Sequence, residues 1–170
     1  MNDQDDPYWR LRDQSPSPEE EICACDGAIA ILLADRFSLN PIACARCNGE
    51  VPPERIGFDA RLAQRLSYWR EYHHCFYFLW LDSGEYEEWA LRQLLDPLGA
   101  VNRLGVEMVG ELGKFRKAYL SWFQDESEDS WEPPAACPRC SGHLDIQFER
   151  ERPQGGSLLV CEECSIALLV

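Results

Sequence analysis

The paired spacing of the cysteines constrains this chain more than any other feature of its sequence. The 170 residues include nine cysteines, and eight of them form four short pairs of the type CxC or CxxC. The acidic N-terminus does not resemble a secretion signal, so we expect a cytoplasmic chain whose cysteines stay reduced. In a reduced chain, pairs at these spacings are typical of metal ligands rather than of disulfides.

The C-terminal segment, residues 132–170, contains two CxxC pairs that are separated by twenty residues: Cys137, Cys140, Cys161 and Cys164. A CxxC pair places two thiolates on one tight turn, so both can reach one ion at about 2.3 Å. Alternating apolar residues over 144–148 predict a strand, and Gly155-Gly156 predicts the turn into a return strand. Two such turns joined by a hairpin are the plan of a zinc ribbon, so we predict a structural Zn²⁺ site here. We expect Gly142 to adopt a positive φ in its turn.

The N-terminal segment, residues 22–58, repeats this pattern with one shorter pair: Cys23, Cys25, Cys44 and Cys47. Residues 44–49 and 137–142 both fit C-x-R-C-[NS]-G, and residues 29–33 between the pairs predict a strand. We therefore predict a second structural Zn²⁺ site. In the alternative ligand set, Cys44 and Cys47 are completed by Cys75 and either His73 or His74.

The residues between these segments, 59–131, predict a small α/β layer. We expect helices over 59–70, 84–95 and 97–112, and strands over 74–81 and 114–123. Residues 1–21 are acidic and predict a flexible tail. The fold class expected is therefore α+β, with a small central α/β layer flanked by two four-cysteine, zinc-ribbon-like modules.

The expected chemistry is structural rather than catalytic, because four thiolates fill every position of a tetrahedral zinc. The sequence has no nucleotide-binding, hydrolase or metalloprotease motif. One enzymatic alternative uses Cys75 as the nucleophile and His73 or His74 as the base. We expect Cys75 instead to be a buried free thiol at the start of the strand over 74–81.

The charge of the chain favours a protein partner over nucleic acid. Asp and Glu number 30 against 16 Lys and Arg, which gives a net charge of −14. An acidic surface attracts basic proteins and repels phosphates, and no apolar run is long enough for a membrane helix. The alternative is single-strand binding through one face of the C-terminal segment, using the side chains of Trp131, Arg139, Phe148, Arg150 and Arg152.

Several motifs in order carry a resemblance to a known family: Cys44-x-x-Cys-x-Gly-x-Val-Pro52, Tyr72–Cys75, Leu98–Leu112, Tyr119–Phe123 and the two C-terminal CxxC pairs. Over about residues 42–170 the chain resembles a bacterial family of uncharacterised zinc-ribbon-containing proteins that are described as nucleic-acid-binding candidates. The resemblance implies zinc binding by the four C-terminal cysteines and a metal role for Cys44 and Cys47. It implies no catalytic residue.

A more distant similarity is to bacterial double-CxxCG proteins, some of which are regarded as toxin-immunity proteins. Together these observations predict a non-enzymatic zinc-binding protein that acts as a protein-interaction module. Its acidic surface would face a basic partner, in the manner of an immunity protein. The alternative function is that of a nucleic-acid-binding zinc-ribbon protein.

Overall fold

A computed structural model describes residues 6–27, 29–127, 130–152 and 156–170. It contains six strands, which are β1 (Ile31–Leu33), β2 (Ile42–Cys44), β3 (Ala118–Ser121), β4 (Asp145–Gln147), β5 (Leu158–Cys161) and β6 (Ile166–Leu169). Its α-helices are α1 (Ala60–Asp82), α2 (Glu87–Leu95) and α3 (Ala100–Leu112). Parts of the predicted tail (residues 1–5) and Gly155 of the predicted turn lie outside the described residues.

The six strands form one mixed sheet in the order β2-β1-β3-β6-β5-β4. The central strands β1, β3 and β6 run parallel to one another, and each outer pairing is antiparallel. Strands from all three parts of the chain therefore contribute to the same sheet. The expected mixed α/β fold with two four-cysteine clusters is confirmed.

The helices pack on one face of this sheet, and both faces are buried at its centre. Ile31 and Leu33 of β1 face a core shared with α1 and α3, whereas Leu32 between them belongs to a separate core on the opposite face. This burial explains why β1 is apolar at every position, as is typical of a strand covered on both faces. None of the helices in the described ranges combines the length and the apolar character that crossing a bilayer requires.

The strand predicted over 74–81 is wrong, because these residues form the last third of α1. The helix begins after Asp59, whose carboxylate accepts a hydrogen bond from Leu62 N–H at 2.9 Å. No glycine or proline interrupts residues 60–82. Tyr72 and Phe76 are four residues apart on one face of the helix, with ring centroids at 5.1 Å. The aromatic run therefore packs at helical spacing, which outweighs its β-propensity.

Two helix starts also differ from the predicted ones. Helix α2 begins at Glu87 rather than at 84, after a turn in which Tyr86 N–H donates to Ser83 Oγ at 3.2 Å. Helix α3 begins at Ala100 after Gly99 rather than at Pro97. The intervening Asp96 instead ends α2 and accepts a hydrogen bond from Leu98 N–H.

Gly105 of α3 lies where this helix packs closely on the sheet and on α1. A Cβ atom at this position would lie 2.9 Å from Leu120 Cδ1 of β3 and 2.9 Å from Trp69 Nε1 of α1. Trp69 is fully buried there, and its indole N–H donates to Val101 O at 3.2 Å. A glycine at position 105 thus lets α3 lie against both elements.

We expect Gly105→Ala to lower the free energy of unfolding by about 1–3 kcal/mol, because the added methyl group overpacks this contact. Gly110→Ala in the same helix is the matched control, since a Cβ there meets nothing within 4 Å. The control should raise stability by about 0.5–1 kcal/mol through helix propensity. Urea denaturation followed by circular dichroism measures both values, and equal effects at the two positions would contradict the close packing.

Candidate metal centres

The structure brings eight cysteines together in two groups of four, namely Cys23, Cys25, Cys44 and Cys47, and Cys137, Cys140, Cys161 and Cys164. Within each group the four Sγ atoms all lie within 4.8 Å of one another. These are the two ligand sets that the sequence predicts.

The spacing of the sulfur atoms fits a tetrahedral metal ion better than a disulfide. Cys140 Sγ and Cys161 Sγ are 3.7 Å apart, whereas bonded sulfur atoms lie at about 2.05 Å. Four thiolates at about 2.3 Å from a tetrahedral Zn²⁺ are about 3.8 Å from one another. The donor set and its size therefore suit zinc, and each group could hold one ion.

The two C-x-R-C-[NS]-G segments fold into the same turn. In the N-terminal turn, Asn48 N–H donates to Cys44 O at 3.0 Å and Cys44 N–H donates to Gly49 O at 2.8 Å. Gly49 N–H also points at Cys47 Sγ at 3.4 Å. Corresponding bonds of 2.8, 3.0 and 3.4 Å form the C-terminal turn, among Cys137, Cys140, Ser141 and Gly142.

The predicted positive φ at Gly142 is wrong, because the residue before it takes that conformation. Ser141 has φ 57°, and Asn48 has φ 59° in the equivalent position. Glycine is required at these two positions because a side chain would be too close to neighbouring atoms. A Cβ at Gly49 would lie 2.8 Å from Cys23 N, and one at Gly142 would lie 3.1 Å from Cys140 Sγ.

Hydrogen bonds from backbone N–H groups lower the pKa of these thiols, whereas burial raises it. The Gly142 N–H bond is the main cause that lowers the pKa of Cys140. Burial is the main cause that raises the pKa of Cys44, to about 11. Metal ligation would stabilise the thiolate form of a buried thiol such as Cys44 and release its proton.

Two arginines support the N-terminal cluster from outside. Arg55 donates to the carbonyl oxygens of Cys23 and Cys25, the latter at 2.7 Å. Arg152, which comes from the C-terminal segment, donates to Ala45 O and, at 3.0 Å, to Asn48 Oδ1. Arg152 is only 7% exposed. The C-terminal segment thus holds the backbone of the N-terminal turn with a buried cation.

The alternative ligand set is not brought together. Cys75 lies on α1 and is exposed, so the predicted buried thiol is wrong. His73 and His74 each place Nδ1 within 3.2 Å of Asp35 instead of near a cysteine cluster. On a helix, residues two positions apart point to opposite sides, so Cys75 and His73 do not share a face, as they would on the predicted strand.

No protein-family model matches this sequence, and neither the curated proteins nor the solved structures gave a match. The family resemblance drawn from the motifs therefore stays a prediction.

We expect Arg152→Gln to lower the free energy of unfolding by about 1–3 kcal/mol, since it leaves the buried Ala45 carbonyl without its donor. Arg150→Gln is the matched control, because Arg150 is exposed two residues away and the charge change is the same. Chemical denaturation of both variants measures the difference. Equal stabilities would show that the Arg152 contact contributes nothing.

Proposed function

We propose that this protein binds two structural Zn²⁺ ions and uses the folded surface to bind another protein. The observation that carries the zinc proposal is the convergence of eight thiols into two compact groups of four. Zinc has no preference for oxygen ligands over sulfur and takes four thiolates in structural sites. Such reduced thiols also fit a reducing compartment such as the cytoplasm.

The proposal does not include catalysis at the metal. A zinc ion with four thiolate ligands has no open position for water or substrate. Its energetic role would be large, because zinc binding in small modules contributes about 10–16 kcal/mol that is coupled to folding. The strands that end in these clusters have only three or four residues, so the proposed ions would compensate for short pairing.

We expect the purified full-length chain to carry two Zn²⁺ ions in native mass spectrometry. Cys47→Ser and Cys140→Ser should each lose one ion, because each removes one of four ligands from a different group. Cys75→Ser is the matched control, since Cys75 belongs to neither group, and it should keep both ions. Retention of two ions by both cluster variants would overturn the proposed ligand sets.

The proposed partner surface, here called the α2 surface, lies at the start of α2 and consists of Asp82, Glu85, Tyr86, Glu88 and Trp89. All five residues are exposed, with Tyr86 at 51% and Trp89 at 43%. Residues 72–91 contain no lysine or arginine. Partly exposed aromatic rings among carboxylates suit a partner that has an apolar centre and a basic rim.

The α2 surface is also rigidly supported. Trp89 packs on Phe76 of α1 with ring centroids at 5.4 Å, and Phe76 packs in turn on Tyr72. Aromatic side chains that are held in place lose little entropy on binding, which is typical of residues that dominate interface energies. The acidic charge of the chain favours one form of this proposal, a toxin-immunity-like role in which the partner is a basic toxin.

Two of the residues considered for nucleic-acid binding, Phe148 and Arg152, are engaged within the protein. Arg152 is buried. Phe148 is covered by Arg46, whose guanidinium carbon lies 5.4 Å from the ring centroid, and Arg46 also pairs with Glu151. The side chains of Arg152 and Phe148 therefore already have partners within the protein, which supports a protein partner over a nucleic acid.

We expect Trp89→Ala to abolish capture of the partner by affinity purification from nuclease-treated native lysate. Trp9→Ala is the matched control, because Trp9 is similarly exposed at 47% but lies outside the α2 surface, and it should retain the partner. Equal recovery with both variants would place the interface elsewhere. In parallel, titration of labelled single- and double-stranded nucleic acid at low salt should give no binding, and salt-sensitive binding would favour the alternative function.

A further inference from the structure

A second group of reactive side chains lies at the end of the sheet opposite the cysteines. Cys44 pairs with Ile31, the first residue of β1, and Cys161 pairs with Ile166, the first residue of β6. The thiol clusters therefore lie where the parallel strands begin. A cavity of about 170 Å³ lies where β1 and β3 end.

The position of this cavity in the topology is that of a ligand site. Residues 34–37 after β1 and residues 121–123 at the end of β3 line the cavity, and α1 covers it. After β1 the chain turns to β2 at one edge of the sheet, whereas after β3 it goes to β4 at the other edge. In open α/β sheets, ligands bind at such a switch point, outside the carboxyl ends of adjacent parallel strands.

Asp35 organises the polar wall of the cavity. His74 Nδ1 lies 3.0 Å from Asp35 Oδ1, and His73 Nδ1 lies 3.2 Å from Asp35 Oδ2. Burial by itself raises the pKa of the Asp35 carboxyl. The hydrogen bonds and charge of the two histidines together outweigh this effect, so the pKa lies below its ordinary value. An ionised carboxylate only accepts hydrogen bonds, so each imidazole presents Nδ1–H to Asp35.

The other ring nitrogens of the two histidines are available to a ligand. No hydrogen bond joins Nε2 of His73 or His74 to any group in the described parts of the chain. His73 has only 7% of its side chain exposed, and both rings line the cavity. Asp35 fixes the orientation of both rings from the Nδ1 side, and in an imidazolium Nε2–H donates to an anion while Nδ1–H stays with Asp35.

The fixed charges of Asp35, Arg36 and Arg70 at the cavity sum to a positive value, in contrast to the net charge of the chain as a whole. The guanidinium of Arg70 is buried with its Nε 3.9 Å from Asp35 Oδ1, so Arg70 offsets the carboxylate charge. Arg36 also lines the cavity, and its hydrogen bond goes to a neutral acceptor, Asn48 O, at 2.9 Å. Among the described residues no carboxylate pairs with Arg36. The Arg36 guanidinium therefore makes no direct ion pair.

The volume and the lining of the cavity limit the size and the charge of the ligand. About 150 Å³ of enclosed apolar space accommodates one benzene ring, and Tyr77, Trp122 and Phe123 provide an aromatic wall. The neighbouring cavity beyond Arg36 is lined by Glu21 and Glu50, which would repel a longer or more highly charged anion. We propose that the cavity between the ends of β1 and β3 binds a small aromatic carboxylate, a single ring whose carboxylate contacts Arg36 and the Nε2 atoms of His73 and His74.

Fluorine NMR of the zinc-loaded full-length protein tests this proposal with three probes of equal size: 4-fluorobenzoate, 4-fluorobenzamide and 4-fluorobenzylamine. We expect 4-fluorobenzoate to bind at least about tenfold more tightly than the neutral or the cationic probe. If 4-fluorobenzoate shows no binding at concentrations up to about 10 mM, the proposal is overturned. Equal or tighter binding of either other probe would overturn the anionic head group.

Two further measurements locate the site. The chain has three histidines, and the ring protons of His73 and His74 should shift on titration while those of the exposed His143 do not. Arg36→Gln should weaken 4-fluorobenzoate binding by about tenfold or more, and Arg36→Lys should restore part of the loss. Arg65→Gln is the control of equal charge change, since Arg65 pairs with Glu107 away from the cavity. A shift at His143 alone, or equal losses for Arg36→Gln and Arg65→Gln, would overturn the assignment.

Discussion

The two thiol clusters lie at the starts of the parallel strands, and the rest of the structure depends on this placement. Strand β2 ends in Cys44 and strand β5 ends in Cys161. Each cysteine turn therefore directly follows a strand of a β-hairpin. Strands of three or four residues form few ladder hydrogen bonds, and modules of about forty residues rarely gain more than about 3–5 kcal/mol from their own cores. The proposed zinc ions would supply about 10–16 kcal/mol at these points, enough to determine whether the sheet forms.

The two clusters also belong to one body rather than to two independent modules. Strands β1 and β2, which frame the first cluster, and β5 and β6, which frame the second, join on either side of β3 in one sheet. The buried cation of Arg152 and the Arg46–Glu151 ion pair at 3.1 Å connect the C-terminal segment to the first cysteine turn. Because Arg152 is only 7% exposed, its hydrogen bonds to that turn are costly to lose. Folding of the C-terminal segment therefore stabilises the N-terminal turn directly.

The sequence predicts the parts of this fold that local chemistry determines. Paired cysteines at fixed spacing indicated both groups of four, and the repeated C-x-R-C-[NS]-G segment anticipated two equivalent turns. The run over 74–81 was misleading, because aromatic residues favour strands locally but here pack four residues apart along a helix that no glycine or proline interrupts. The contact of Asp35 with His73 and His74 joins residues nearly forty positions apart. No periodicity or spacing encodes such a contact, so it required the tertiary structure.

The separation of the two ends of the sheet also explains how an acidic, thiolate-rich chain can hold an anion. Each four-thiolate zinc site would add a charge of −2, which by itself opposes an anionic ligand. A strand of three or four residues spans about 10–13 Å, which separates His73 and His74 from the proposed ions, whereas the Arg36 guanidinium reaches Asn48 O beside the first cluster. Arg36 and the two imidazoles line the cavity itself. Because the Coulomb energy falls with distance, the charges in direct contact with the ligand outweigh those of the proposed metal centres.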